Sequence, residues 1–154
     1  MEEKIYLRSA NIDDAKLFFE WVNEASVRKN SFNEEPIIWK SHIEWFQRTL
    51  QDKENLVFVM MLGDVPVGQI RLNFKDNRWQ ISYSIDLEYR GQGYGKVLLQ
   101  LAENELACKG YSGNSLFAEV KANNIASQQV FAGLGYKETK PLHNDTYAYI
   151  KTVS

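Results

Sequence analysis

Arg90-Gly91-Gln92-Gly93-Tyr94-Gly95 is the stretch whose residue types and spacing are built to hold a ligand. It follows an alternating run through Ile81, Tyr83, Ile85 and Leu87 and precedes Val97, Leu98 and Leu101, which recur at helical spacing. That order predicts a strand, a tight glycine turn and a helix. The first N–H groups of such a helix have no intrahelical partner, and the helix dipole gathers partial positive charge there, so an anion such as phosphate is the fitting guest. Glycine lets it approach bare backbone. Two familiar phosphate motifs fail on spacing. The dinucleotide fingerprint G-x-G-x-x-G, counted from Gly91 and Gly93, finds Lys96 where its third glycine belongs. The P-loop finds Arg90 at its first glycine and Val97 at its Ser/Thr position. What remains is R-x-x-G-x-G.

In that form the turn resembles the GCN5-related N-acetyltransferase superfamily, in which the positions of Arg90, Gly93 and Gly95 wrap the pyrophosphate of acetyl-coenzyme A. A second run, NIASQQVFAGLGYKE, resembles that family's N-x-x-[AS]-x-x-x-[YF]-x-x-x-G-[FY] signature, with Asn124, Ser127, Phe131, Gly135 and Tyr136 on the matching positions. The resemblance covers most of the chain from residue 55 onward. It implies an α+β fold with a mixed, mostly antiparallel sheet of about seven strands, splayed between its fourth and fifth strands and carrying helices on both faces. It implies acetyl-coenzyme A as cosubstrate and no metal. Strands that part lose ladder partners, so their backbone can bind an amide-rich ligand arm. Ile85, Asp86 and Leu87 are therefore expected to hold the pantetheine, with one strand N–H as an oxyanion donor. Arg90, Gly91, Gln92, Gly93, Tyr94, Gly95 and Lys96 are expected around the phosphates, with Asn124, Ser127 and Phe131 completing the cofactor set.

The reaction implied is direct attack of a primary amine on the thioester. An α-amino group of pKa about 7.7–8.0 is largely protonated at neutral pH, so a general base helps. Glu119 is the candidate, since it precedes Asn124 on a strand, and ribosomal-protein N-terminal acetyltransferases of this superfamily carry a catalytic glutamate at the matching place. Many relatives protonate the departing thiolate with a tyrosine where this chain has Phe131. Ser127 is the expected substitute, with Tyr83 and Tyr94 behind it.

The first half of the chain resembles acetyltransferases that modify the 4-amine of a UDP-linked amino sugar in nonulosonic acid pathways. Shared cues are R-K-N-S-F, Pro-Ile-x-Trp, H-x-x-W-F and Gly68-Gln69-Ile70-Arg71. Asn30, Ser31, Phe32, His42, Trp45, Arg71 and Tyr83 are thus expected on the acceptor, with aromatic rings to stack on a base or sugar and Arg28, Lys29 and Arg71 for a diphosphate. Two alternatives stay open. One is a protein N-terminal or small-amine acetyltransferase, and the other is a noncatalytic acetyl-coenzyme A binding module.

The elements that must position these residues are legible along the chain. With 154 residues, 44% of them hydrophobic, one compact domain is expected. A formal net charge of -2 gives no general grip on nucleic acid or anionic lipid. Cys108 is alone, no apolar run nears the roughly 20 residues of a membrane span, and the start MEEKIYLR is too charged for a signal peptide, so a cytoplasmic protein is expected. Residues 4–8 read as a strand, and Asn11 with Asp14 as a helix start presenting Ala15, Phe18, Phe19 and Val22. Residues 26–36 read as a polar loop, and 39–50 as a helix with a Trp39, Ile43, Phe46, Leu50 stripe. Strands follow at 55–62, 65–74 and 78–87, with a phase slip at Gly68-Gln69 that predicts a β-bulge. After a helix to about residue 107 come a strand at 115–121, a short helix from Asn124, and two closing strands within 137–152. The outward face of Tyr147 and Tyr149 suits substrate or a second subunit, so a homodimer is compatible with the pattern.

Overall fold

Alternation of apolar and polar residues produces strands close to where the sequence places them. A computed structural model, which describes residues 3–154, contains β1 (Ile5–Ser9), β2 (Asn55–Leu62), β3 (Val65–Lys75), β4 (Arg78–Ile85), β5 (Ser115–Lys121), β6 (Lys137–Thr139) and β7 (Thr146–Thr152). They form one seven-stranded sheet in the order β1-β2-β3-β4-β5-β7-β6. Every pairing is antiparallel except β4 with β5, which run parallel over residues 78–80 and 115–117 only. Beyond that point the two strands part, and a gap opens in mid-sheet.

The helices are α1 (Ala15–Val22), α2 (Ala25–Lys29), α3 (Trp39–Gln51), α4 (Tyr94–Cys108) and α5 (Ile125–Gly133). One sheet face packs Met60, Ile70, Leu72, Leu116 and Val120 against Leu98 and Leu106 of α4 and Phe131 of α5. The other face is apolar chiefly on β2, where Val57, Val59 and Met61 meet Phe18 and Trp21 of α1 and Phe46 of α3 with Tyr6 of β1 beside them, and at Phe117 of β5. On β3, β4 and β5 it turns polar, with Gln69, Arg71, Asn73, Ser82, Ser84, Glu119 and Lys121 alternating with the core residues and lining a cleft.

The slip in β3 is a bulge. Met60 pairs with Gly68 and Met61 with Pro66, so Val67 is the extra residue, and the shift lets Val67 and Ile70 enter one core while Gln69 points to the other face. A Cβ on Gly68 would lie 2.9 Å from the Ser84 carbonyl oxygen, which excludes a side chain where β3 and β4 approach. At the start of α1 the Asn11 side chain accepts the Asp13 N–H at 2.9 Å and the Asn11 N–H donates to Asp14 at 2.9 Å. Burial alone would raise the Asp14 carboxyl, but its two Arg8 hydrogen bonds of 2.8 Å, the Asn11 N–H and the Arg8 charge together hold it below the usual range.

Several elements differ from expectation. Residues 26–36 are not all loop, because Glu24 caps a short helix, α2, with its side chain accepting from the N–H groups of Ser26 and Val27. The buried side of α3 centres on His42 and Phe46, while Trp39 is 45% exposed. β4 ends at Ile85, and Leu87 lies on a 3-10 turn (Leu87–Tyr89), 61% exposed. Tyr149 is not on an outward face. It is buried and stacks on Phe131, whereas Tyr147 is exposed. No helix among the described residues is long and apolar enough to cross a membrane.

Candidate active site

The glycine turn is shaped by backbone conformation. Gly91 and Gly93 hold φ of 76° and 85°, the left-handed region that L side chains avoid, and a Cβ built on either meets no atom within 4 Å. Gly93 is the N-cap of α4 and no side chain caps it, so the first N–H groups of the helix face an open concavity. Gly95 lets the helix start sit close to its neighbours: its Cβ would lie 3.5 Å from both Tyr83 and Val130. The Arg90 side chain turns away from the opening. Its Nε donates to the Ile85 carbonyl at 2.9 Å, Nη1 to Ser26 Oγ at 2.6 Å and Nη2 to Glu24 at 3.1 Å. Burial alone would raise the Glu24 carboxyl, but the Ser26 and Arg90 hydrogen bonds bring it down to about 2. Lys96 lines the cleft beside the turn, while Gln92 reaches back toward the Glu88 carbonyl at 3.4 Å.

The gap between β4 and β5 offers backbone groups. The Asp86 N–H donates to the Val67 carbonyl at 2.8 Å, so Gly68 and Ile85 form a non-bonded pair of the antiparallel ladder. Alternation then turns the N–H and C=O groups of Tyr83 and Ile85 away from β3, toward the gap. The Ile85 carbonyl is already taken by Arg90. The Asp86 carboxylate accepts the Trp21 indole N–H at 2.8 Å and joins α1 to the end of β4. Of the stretch 85–87, Asp86 is thus committed internally and Leu87 lies off the strand. Tyr83 and Ile85 carry the free amides.

Tyr83, Ser127 and Phe131 meet at this gap. The Tyr83 and Ser127 hydroxyls are 2.9 Å apart, and the Tyr83 ring lies edge-on to Phe131 with centroids 5.9 Å apart. Burial pushes the Tyr83 phenol up, partly offset by the Ser127 bond, so it stays protonated at neutral pH. Phe131 is 2% exposed and packs within the core. Asn124 caps α5, its side chain accepting the Ser127 N–H at 3.3 Å.

The polar half of the second sheet face forms the other wall. The cleft is continuous with the gap, with a volume of about 1290 Å³. Arg71 donates to Ser82 Oγ at 2.8 Å and its guanidinium lies 4.9 Å from the Trp45 ring centroid. Enclosure, then the charge of Arg28, pushes it down to about 10, so it remains cationic at neutral pH. It has no carboxylate partner among the described residues. Gln69 is 7% exposed, gives its amide N–H to Ser84 Oγ at 3.0 Å, and leaves its carbonyl oxygen without a partner. Arg28 stitches the segment after α2, donating to the carbonyls of Val22, Asn33 and Glu35. Ser31 donates to the Val27 carbonyl at 2.6 Å, and Asn30 lines the cleft.

His42 and Glu119 both line the cleft and both are engaged by the protein itself. His42 is 2% exposed, stacks on Phe46 and donates Nε2–H to the Ala15 carbonyl at 2.8 Å, so it props the cleft wall from within the core. Burial, and to a lesser degree Arg71, pushes its pKa down despite that bond. Glu119 is not a solitary carboxylate. It accepts the Leu142 N–H at 2.7 Å and the Nδ1–H of His143, whose ring stacks on Phe32 with centroids 4.4 Å apart.

Residues 4–137 match the profile of a family described as Acetyltransferase (GNAT) domain. The chain belongs to the GNAT acetyltransferase family. Within it, the chain is similar to the uncharacterized N-acetyltransferase YfmK of Bacillus subtilis (strain 168), 35% identical over 57 residues. That match spans 37% of this chain and only 38% of the relative. The GNAT fold is shared with a domain from Methanocaldococcus jannaschii DSM 2661, at TM-score 0.86 and 22% identity, covering 98% of this chain and 99% of that one. It is shared too with spermidine N-acetyltransferase from Vibrio cholerae in complex with CoA and spermine, at TM-score 0.84 and 16% identity, covering 97% and 95%. The sheet that parts between β4 and β5 is the arrangement expected from the two GNAT signatures. Sequence pattern alone does not single out His143, which lies in a polar loop, nor the cleft-lining strand residues Asn73, Ser82 and Ser84. The period-two polar residues of β3 and β4 were the available signal for the last three.

Proposed function

We propose that this protein is an acetyl-coenzyme A-dependent N-acetyltransferase whose acceptor is a primary amine on a molecule that also carries negative charge, a nucleoside-diphosphate-linked amino sugar above all. The residues suit the cosubstrate. Left-handed glycines and an uncapped helix start offer N–H groups to its phosphates, and the Tyr83 and Ile85 amides suit an amide-rich arm lying in the gap. When bound, it supplies an activated acetyl group. Ser127 or Tyr83 then stands ready to give a proton to the departing sulfur.

Arg71 carries the acceptor assignment. A cleft cation with a ring beneath it and no carboxylate partner among the described residues suits a phosphate beside a stacked base or sugar. A polycation such as spermine would meet Arg71 and Arg28 as like charges. The unpartnered Gln69 oxygen adds a site for a sugar hydroxyl. This reading puts the enzyme in the cytoplasm, in keeping with its single unpaired Cys108. The test is thiol release from acetyl-coenzyme A with UDP-amino sugars, N-terminal peptides, spermine and aminoglycosides. UDP-amino sugars should give the highest kcat/KM, and Arg71→Gln should lower it about 10- to 100-fold, the loss of one charge-assisted hydrogen bond. Preference for spermine or a peptide would overturn the acceptor assignment, and coenzyme A binding without acceptor-dependent release would leave a noncatalytic module.

A further inference from the structure

Glu119 lies on the polar face of β5, just past the point where the strand leaves β4. Its side chain is 6% exposed and each oxygen is engaged, one by the Leu142 N–H and the other by His143 Nδ1–H. A carboxylate held in this way has little room to meet an ammonium group directly. His143 is its opposite. Its side chain is 57% exposed, it lines the cleft that also contains Tyr83 and Ser127, and its ring is held flat against Phe32 at an interplanar angle of 22°. With Nδ1–H given to Glu119, neutral His143 keeps its free lone pair on Nε2, which has no protein partner among the described residues. The charged groups around it are Glu119 and, two residues along the same strand face, Lys121 paired with Glu34 at 2.9 Å.

We propose that His143 is the base that takes the proton from the acceptor amine, and that Glu119 is a positioning residue that fixes the imidazole. The proposal rests on the acetyl-transfer reading above. The ammonium form of the acceptor gives one proton to Nε2. The freed nitrogen lone pair forms the C–N bond at the thioester carbonyl carbon, the C–S bond breaks, and the sulfur leaves with the electron pair of that bond and takes a proton from the Tyr83–Ser127 hydroxyl pair, while the second proton shed by the nitrogen passes through solvent and restores that hydroxyl. His143 returns its own proton to solvent. A histidine suits the step because neutral imidazole can donate from one ring nitrogen while accepting a proton on the other, and Glu119 holds Nδ1–H so that the accepting lone pair is the one on Nε2.

His143→Asn tests this directly, since the asparagine amide can still donate toward Glu119 but has no basic nitrogen. At pH 7 its kcat/KM should fall about 100-fold or more, with coenzyme A affinity and Tm held, and the deficit should shrink as pH rises past the acceptor's own pKa. Glu119→Ala should release the ring from its Nδ1–H tautomer, read in the imidazole nitrogen shifts by NMR in the enzyme without cosubstrate, a measurement that needs no turnover. Parent-like rates for His143→Asn from about pH 6 to 9, or imidazole nitrogen shifts unmoved by Glu119→Ala, would overturn the proposal. Kinetics use whichever amine the parent accepts. A parent inactive on every amine defeats the acetyl-transfer reading itself and is seen without any variant.

Discussion

Gly93→Ala separates what the glycine turn owes to folding from what it owes to a ligand. At φ +85° an L-residue costs about 1–2 kcal/mol in backbone strain. The added methyl meets nothing within 4 Å, so strain is its whole effect on the folded protein. For a chain of this size that is a loss of about 2–8 °C in Tm. Gly110→Ala is the matched control: φ is +90°, the methyl again meets nothing within 4 Å, and the position lies just past the opposite end of α4. The variants should lose the same Tm and differ in coenzyme A affinity. At position 93 the methyl stands on the open side of the turn, where it would hold phosphate oxygens off the helix N–H groups. One charge-assisted hydrogen bond is worth about 1.5–3 kcal/mol, so calorimetric titration with coenzyme A should show binding about 10- to 100-fold weaker. Gly110→Ala should bind as the parent does. Equal affinity in the two variants, with equal loss of Tm, would refute phosphate binding at this turn.

Tyr83→Phe keeps the ring against Phe131 and Gly95 and removes only the hydroxyl bonded to Ser127; it should lower kcat about 10-fold, a modest effect because a thiol leaves with a pKa near 8.5, while coenzyme A affinity holds. Unchanged kcat would show that this phenol does not supply the proton. His42 is buried with its pKa pushed below the ordinary 6.5, chiefly by burial, so the unfolded chain binds its proton more readily and stability falls as pH drops through 6.5 toward the folded value. Urea unfolding at about pH 7.5 and 5.5 should therefore show a larger loss for the parent than for His42→Gln, and equal losses would show that His42 is not the group responsible.

Where one local rule decides a structure, the sequence shows it. The bounds of β2 and β5, the bulge in β3 and the glycine turn follow from alternation, a phase slip and the need for positive φ. Where a partner far along the chain decides, it does not. α2 is five residues with no apolar period, held by Glu24 and by the distant Arg90. α3 buries His42 rather than Trp39 because the Ala15 carbonyl of another helix satisfies the imidazole. Glu119 was legible as a strand carboxylate near the second signature, but its partner stands 24 residues on in a polar loop without periodicity. The cleft wall proposed for the acceptor is partly legible, since Arg71 and Trp45 stand in the sequence cues, yet that Arg71 has no carboxylate partner among the described residues is a fact of packing alone.

The two faces of the sheet divide the labour of the site. Groups suited to the cosubstrate belong to the turn and to strand backbone, where side-chain identity counts for little beyond glycine. Groups suited to the proposed acceptor are side chains on the polar half of the opposite face, which alternate with the core residues behind it. Arg90 joins the two, for one guanidinium holds the Ile85 carbonyl at the gap, Ser26 on α2 and Glu24 before it. The acceptor wall therefore has a fixed part and a variable part. A substitution at Glu24 or Ser26 unseats the glycine turn as well as the wall, whereas one at Arg71, whose side-chain partners are Ser82 and the Trp45 ring, leaves the turn in place.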